Sequence, residues 1–142
     1  MNKKSLLINI VIVYIVTAVN AFALQSENFL KGKKLFNQSK YKDSKIFFER
    51  DIVFNPKSEK SYLYLAKIYD QDKNDTQQEI NLNNVLLLNP KNDEAIYLLI
   101  LLKIKESDYS KTKELIKQFN LVCKTLCSKK KSIEEKFEKL VP

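Results

Sequence analysis

Residues 54–66 read FNPKSEKSYLYLA and residues 88–100 read LNPKNDEAIYLLI. Each stretch sets an apolar residue, Asn, Pro and Lys ahead of a short polar run and then an apolar run. The chain has only three prolines, and two of them, Pro56 and Pro90, occupy the same place in this phrase, thirty-four positions apart. Proline has no N–H and its ring clashes with a helical backbone before it, so each phrase ends one helix. Ser58 and Asn92 are then placed to cap the next helix by accepting from its free N–H groups.

Other positions keep the same step. Tyr41 and Tyr109, Ser39 and Ser107, and Ser44 and Thr112 all lie two such periods apart. Apolar spacing within the units is helical: Phe29, Lys33 and Phe36 share a face, as do Ile46, Phe47, Arg50, Val53 and Phe54, and both sets are spaced for one-faced burial. The pattern predicts helices over 26–37, 41–54, 59–71, 75–88, 93–106 and 109–122.

A thirty-four-residue helix-turn-helix period is that of the tetratricopeptide repeat (TPR), and from about Gln25 to Cys127 the chain resembles that family. Gly32, Tyr41, Ser44, Phe48 and Pro56 match the motif in the first unit. Tyr62, Leu65, Ala66, Tyr69 and Pro90 match it in the second, where Asp75 and Gln78 depart. Tyr109 and Thr112 match in the third, while Ile100 and Lys103 replace the small and aromatic residues. The resemblance implies an all-α fold, a right-handed superhelix of three TPR-like helical hairpins (25–58, 59–92 and a degenerate 93–126). A C-terminal capping helix follows over 132–141. There Ser132 and Glu135 have the form of a capping box, and Ile133, Phe137 and Leu140 make one apolar stripe.

In this family the first helices of successive repeats line a concave groove that holds a peptide. The corresponding positions here are Ser26, Phe29, Lys33, Phe36 and Asn37, then Lys60, Leu63, Lys67, Asp70 and Gln71. The third repeat contributes Glu94, Tyr97, Leu101, Ile104 and Lys105. The lysine, asparagine and arginine clamp by which some members grip a C-terminal carboxylate is missing, since its positions hold Phe29, Lys33, Tyr64, Glu94 and Leu98. Residues 95–104, AIYLLILLKI, are apolar around nearly the whole helix. Either the neighbouring C-terminal helices fold over them, or Tyr97, Leu101 and Ile104 await a partner or a second copy of the chain.

Residues 1–23 belong to a different argument. Lys3 and Lys4, an apolar run over 6–19 and Ala21-Phe22-Ala23 make a secretory signal pattern with cleavage after Ala23. The alternative is an uncleaved membrane anchor, although Asn9 and Asn20 interrupt the segment. No Cys lies near the cleavage point, which excludes a lipoprotein anchor. Export implies a periplasmic location, or secretion; retention of the segment would anchor the chain in the inner membrane and provide its membrane contact. Lysine-dominated basic residues, with Arg50 the single arginine, point to AT-rich bacterial coding.

Charge and residue inventory narrow the chemistry. The net charge is +8, falling to +6 without Lys3 and Lys4, but acids are interspersed. Solvated helix faces explain it better than nucleic-acid binding does, with anionic-polymer recognition through Lys33, Lys60, Lys67 and Lys105 a weaker alternative. There is no His and one Gly, so a His-based triad or metal site and a glycine-rich phosphate loop are excluded. We expect no enzyme activity, no metal and no cofactor. Cys123 and Cys127 lie four apart; in an oxidising compartment they suit a local disulfide better than the alternative of two free thiols, and the last turn of the sixth helix would have to distort for it. The expected function is a non-catalytic interaction module of the cell envelope, binding a peptide or partner subunit. The alternative is an anchored, oligomerising structural component.

Overall fold

The computed structural model describes residues 25–139; the segment expected to be a signal or an anchor, and Leu140, lie outside that range. Among the described residues every regular element is helical: α1 (Glu27–Asn37), α2 (Tyr41–Phe54), α3 (Glu59–Gln71), α4 (Asp75–Leu88), α5 (Asp93–Lys105), α6 (Tyr109–Val122) and α7 (Lys130–Glu138). They pair as three antiparallel hairpins, α1–α2, α3–α4 and α5–α6, stacked in chain order with α7 closing the end.

Two kinds of turn produce this arrangement. Within each hairpin the chain reverses through a left-handed residue: Ser39 (φ 60°), Lys73 (φ 55°) and Ser107 (φ 59°), one period apart. The next N–H in each case reaches back five residues, from Lys40, Asn74 and Asp108 to the carbonyls of Leu35, Tyr69 and Lys103, at 2.9–3.0 Å. The left-handed residues themselves bond to Phe36, Asp70 and Ile104. These are Schellman closures, which satisfy carbonyls left over at the helix end. Glycine is the usual residue there; none is present at these three turns.

Between hairpins the proline phrase acts as expected, with one change. Asn55 and Asn89 end α2 and α4, and the Asn92 side chain caps α5 by accepting from the Ala95 N–H at 2.8 Å. Ser58 does not cap α3. Its hydroxyl bonds to Ser61 Oγ at 3.0 Å, and Ser61 in turn donates to buried Asp51, which also accepts from Ser26. Glu59, at the start of α3, holds the turn that closes its own repeat by accepting from the Asn89 and Asn92 amides. Asp93 does the same one repeat later, accepting from the N–H groups of Lys124, Thr125 and Leu126.

The helices approach most closely where small residues face aromatics. A Cβ on Gly32 would sit 2.9 Å from Phe48 Cε1, and Ser44 Oγ donates to the Gly32 carbonyl at 2.8 Å. Phe48 stacks on Tyr64 with ring centroids 4.8 Å apart. On α2 the buried residues are Ser44, Phe48 and Asp51, whereas Ile46, Val53 and Phe54 are exposed and Arg50 faces solvent. The one-faced burial expected for Ile46, Phe47, Arg50, Val53 and Phe54 is therefore corrected. The buried stripe is the one that crosses the small-residue position, because close helix approach selects it.

The C-terminal end also differs from expectation. α6 stops at Val122, Cys123 is extended (φ −56°, ψ 139°), and Cys123 is disulfide-bonded to Cys127 across a Cα–Cα distance of 5.3 Å. No helical turn is distorted, because the helix has already ended. A 3-10 turn, Cys127–Lys129, runs directly into α7 at Lys130. Ser132 is consequently inside the helix with no free end to cap, and the capping box is absent. Ile133 is buried in the core and Phe137 lies near Tyr109, so the apolar stripe does cover the last hairpin.

Two outcomes follow from the turns. Lys73→Gly relieves a left-handed lysine and raises stability by about 0.5–1 kcal/mol in urea denaturation. Asp93 gives an acid window. Burial pushes its carboxyl up, but the N–H groups of Lys124, Thr125 and Leu126 and the Thr125 hydroxyl outweigh burial and hold it at about 2, below the ordinary 3.8. A depressed carboxyl contributes stability above its unfolded value and loses it as the acid form fills. Stability should fall between about pH 4 and pH 2, and Asp93→Asn should flatten that slope in an acid melt series.

Candidate concave binding face

The first helices α1, α3 and α5 supply the groove positions, and the structure sorts them into three groups. Phe29 and Leu63 are core residues. Phe29 is 3 % exposed and packs against Phe48 and Tyr64, each 5.8 Å away, while Leu63 is 8 % exposed within the main core. Neither stands open on the concave face, which corrects their placement in the groove: the aromatic at position 48 and the following α3 close over that row. Phe36 is half-buried, edge-on to Tyr64 at 4.9 Å and to Tyr41 at 5.2 Å, so it too serves the aromatic cluster.

Lys33, Asn37 and Asp70 are exposed. Lys67 is half-buried, with its ammonium 2.6 Å from Glu94 and 5.1 Å from the centre of the Tyr64 ring. This pair bridges the second and third repeats on the inner face. Burial, and then the Glu94 charge, push the Tyr64 hydroxyl pKa up.

Tyr97, Leu101 and Ile104 are half-buried on α5. The apolar circumference of this helix divides into two parts. Ala95, Ile96, Leu99, Ile100 and Leu102 are enclosed by the neighbouring helices, and Tyr97, Leu98, Leu101 and Ile104 are left partly open. Lys103, in the motif's aromatic place, is buried and ion-paired to Glu79 at 2.6 Å and Glu106 at 2.8 Å. Burial lowers its pKa, but the bonds to Glu106 and Glu79 outweigh that and raise it. The α4–α5 contact is thus held by charge where the motif uses a ring.

Between α3, α4 and α5 lies a cleft of about 210 Å³ lined by Asp70, Gln78, Leu98, Leu101, Leu102 and Lys105. It brings Asp70 together with Leu101; Lys33, Phe36 and Asn37 are not part of it. Lys105 is held by Asp75 at 2.7 Å. Gln78 is the member that groove reasoning missed, along with Leu102. Its signal was in the sequence, because Gln78 stands one period from both Ser44 and Thr112, whose hydroxyls bond to the Gly32 and Asp108 carbonyls. Gln78 makes neither bond, and its Oε1 is buried without a hydrogen-bond partner. A second cavity, about 240 Å³, lies at the hairpin-joining edge, lined by Gln25, Ser26, Asp51, Asn55, Lys57 and their neighbours.

No family model matches the sequence, and no curated protein matches it. Solved structures do. The first TPR domain of Spaghetti (RPAP3) bound to the HSP90 peptide SRMEEVD superposes with a TM-score of 0.71 at 16% identity, over 80% of this chain and 90% of that one. The Sgt2 TPR domain from Aspergillus fumigatus gives 0.68 at 13% identity, over 82% and 81%. The chain has the fold of these domains, an all-α superhelix of TPR hairpins.

A buried polar atom without a partner costs about 1–3 kcal/mol, and an apolar group of similar shape removes that cost. Gln78→Met should therefore stabilise the chain by about 1 kcal/mol, read as a higher urea midpoint at unchanged slope.

Proposed function

We propose that the chain is a non-catalytic interaction module of the bacterial cell envelope that receives a peptide segment or partner subunit on its concave face. The observation that carries this is the cleft on the inner face. There the half-buried Leu98 and Leu101 offer apolar contact beside the exposed Asp70 carboxylate, over a floor that holds Leu102 and the unpartnered Gln78 Oε1. Apolar walls with a few polar groups that fix orientation are what peptide and small-ligand sites share.

The carboxylate grip of some TPR proteins does not suit this face. The peptide on Spaghetti ends in Glu-Glu-Val-Asp. Here Glu94, at a clamp position, instead pairs with Lys67, and Phe29 is buried. A partner suited to this face brings apolar side chains and hydrogen-bond donors rather than a free carboxylate. The envelope assignment is supported by the N-terminal signal pattern and by the Cys123–Cys127 bond, which suits an oxidising compartment. The second reading, an anchored structural component, rests on the same N-terminal segment being retained. N-terminal sequencing separates the two: Leu24 as the first residue supports release, and Met1 supports an anchor.

A photo-crosslinking side chain placed at Lys67 or Leu101 in living cells should give one discrete adduct, absent from Lys42 on the outer face. Asp70→Arg together with Leu101→Arg should lower the Lys67 adduct by about tenfold, equivalent to about 1.4 kcal/mol of binding. Equal adducts at Lys42, or no response to the double substitution, would remove the concave face from consideration.

A further inference from the structure

The most exposed apolar side chains of the second helices fall in one row. Val53, Leu87 and Leu121 stand at the same position in the three repeats and are 74%, 80% and 86% exposed. Phe54 (80%) and Leu88 (37%) follow the first two. Each lies in the last turn of α2, α4 or α6, so the row runs along the one edge where hairpins join. Single exposed apolar residues are ordinary. A row repeated in every unit marks a surface that something covers.

The charges of that edge identify the covering. Lys57, Lys91 and Lys124 are exposed in the three closing turns, and among the described residues none of them is in an ion pair. The carboxylates in the same turns are committed inward. Asp51 accepts from Ser26 and Ser61, Glu59 from Asn89 and Asn92, and Asp93 from residues 124–126. The edge therefore presents lysine and apolar side chains together, while Asp51, Glu59 and Asp93 are held by donors of the protein itself. A second copy meeting this row about a two-fold axis would set lysines against lysines. An anionic lipid surface accepts both components, ammonium groups at the phosphates and apolar tips at the acyl boundary.

The path of the chain agrees with that occupant. Gln25 and Ser26 line one cavity with Asn55, Lys57 and Ser58, so the segment 1–24, whose sequence carries the apolar run, joins the domain at this edge. We propose that the edge formed by Val53, Phe54, Leu87, Leu88 and Leu121 with Lys57, Lys91 and Lys124 docks on an anionic phospholipid surface. The concave face is then left free for a partner. This contact does not require the N-terminal segment to be embedded, and with that segment retained the domain meets the bilayer by the same edge.

The chain has no Trp, so one introduced Trp reports alone. Leu87→Trp, Leu121→Trp and Thr76→Trp are compared in the full chain on vesicles of equimolar phosphatidylcholine and phosphatidylglycerol carrying brominated acyl chains. Thr76 is exposed in the first turn of α4, about 16 Å along the helix from Leu87. The expected result is blue-shifted, strongly quenched emission for Leu87→Trp and Leu121→Trp and unquenched emission for Thr76→Trp. Adding Lys57→Glu, Lys91→Glu and Lys124→Glu to Leu87→Trp should cut its quenching severalfold, with unchanged helical circular dichroism. Similar quenching at all three sites, none at any, or indifference to the lysine reversals overturns the proposal. A blue shift of Leu87→Trp that rises with protein concentration and ignores lipid assigns the row to a second copy instead.

Discussion

A helix from this chain cannot hide its apolar side alone, and the structure depends on where the backbone is allowed to double back. Two reversals alternate, and together they set the repeat period. One is the left-handed closure at Ser39, Lys73 and Ser107; the other is the Asn-Pro turn at 55–56 and 89–90, replaced at the end by the disulfide turn. Because both recur in step, equivalent residues fall at equivalent depths. That is why Gly32 and Ala66 are buried at helix crossings, and why Ser44, Gln78 and Thr112 occupy the matching place on the second helices. A fault in either turn would shift every later residue off its row.

Much of this was legible in the sequence, and the reasons differ by element. Pro56, Pro90 and Asn92 announce helix ends by chemistry that acts within a few residues, so the six helices of the hairpins fall within a residue of expectation. The left-handed turns were not legible as such. Glycine is the usual signal for that backbone, and the chain uses Ser and Lys instead. Ser58 and Ser132 failed as caps for different reasons: Ser58 bonds to Ser61, and Ser132 lies inside the first turn of a helix that continues from a 3-10 turn. Local rules name a residue that can cap; they do not say whether a better partner lies nearby.

Burial was harder to read than helicity. Spacing alone grouped Val53 and Phe54 with the core, the family resemblance grouped Phe29 and Leu63 with the groove, and both placements were reversed. In a stack each helix touches the repeats on either side, so its buried arc is set by neighbours far away in sequence. The small residue at Gly32 brings α2 in over Phe29. The ends of α2, α4 and α6 extend past the packed zone, which leaves their last apolar residues outside. Of the groove residues expected from the family resemblance, Asp70, Leu101 and Lys105 meet at the cleft, where Gln78, a departure from the motif, adds a polar atom.

The two ends of the stack are unequal. At the far end a covalent loop and the hydrogen bonds on Asp93 secure the final turn, and Ile133 plugs the apolar face beneath it. The opening hairpin relies on aromatic contact and on the hydroxyls around Asp51. Tandem repeats unravel from their termini, the weakest unit first. Amide exchange in this chain would accordingly spread inward from α1, and tension applied at the amino end would peel hairpins away one by one while the carboxyl end kept its shape.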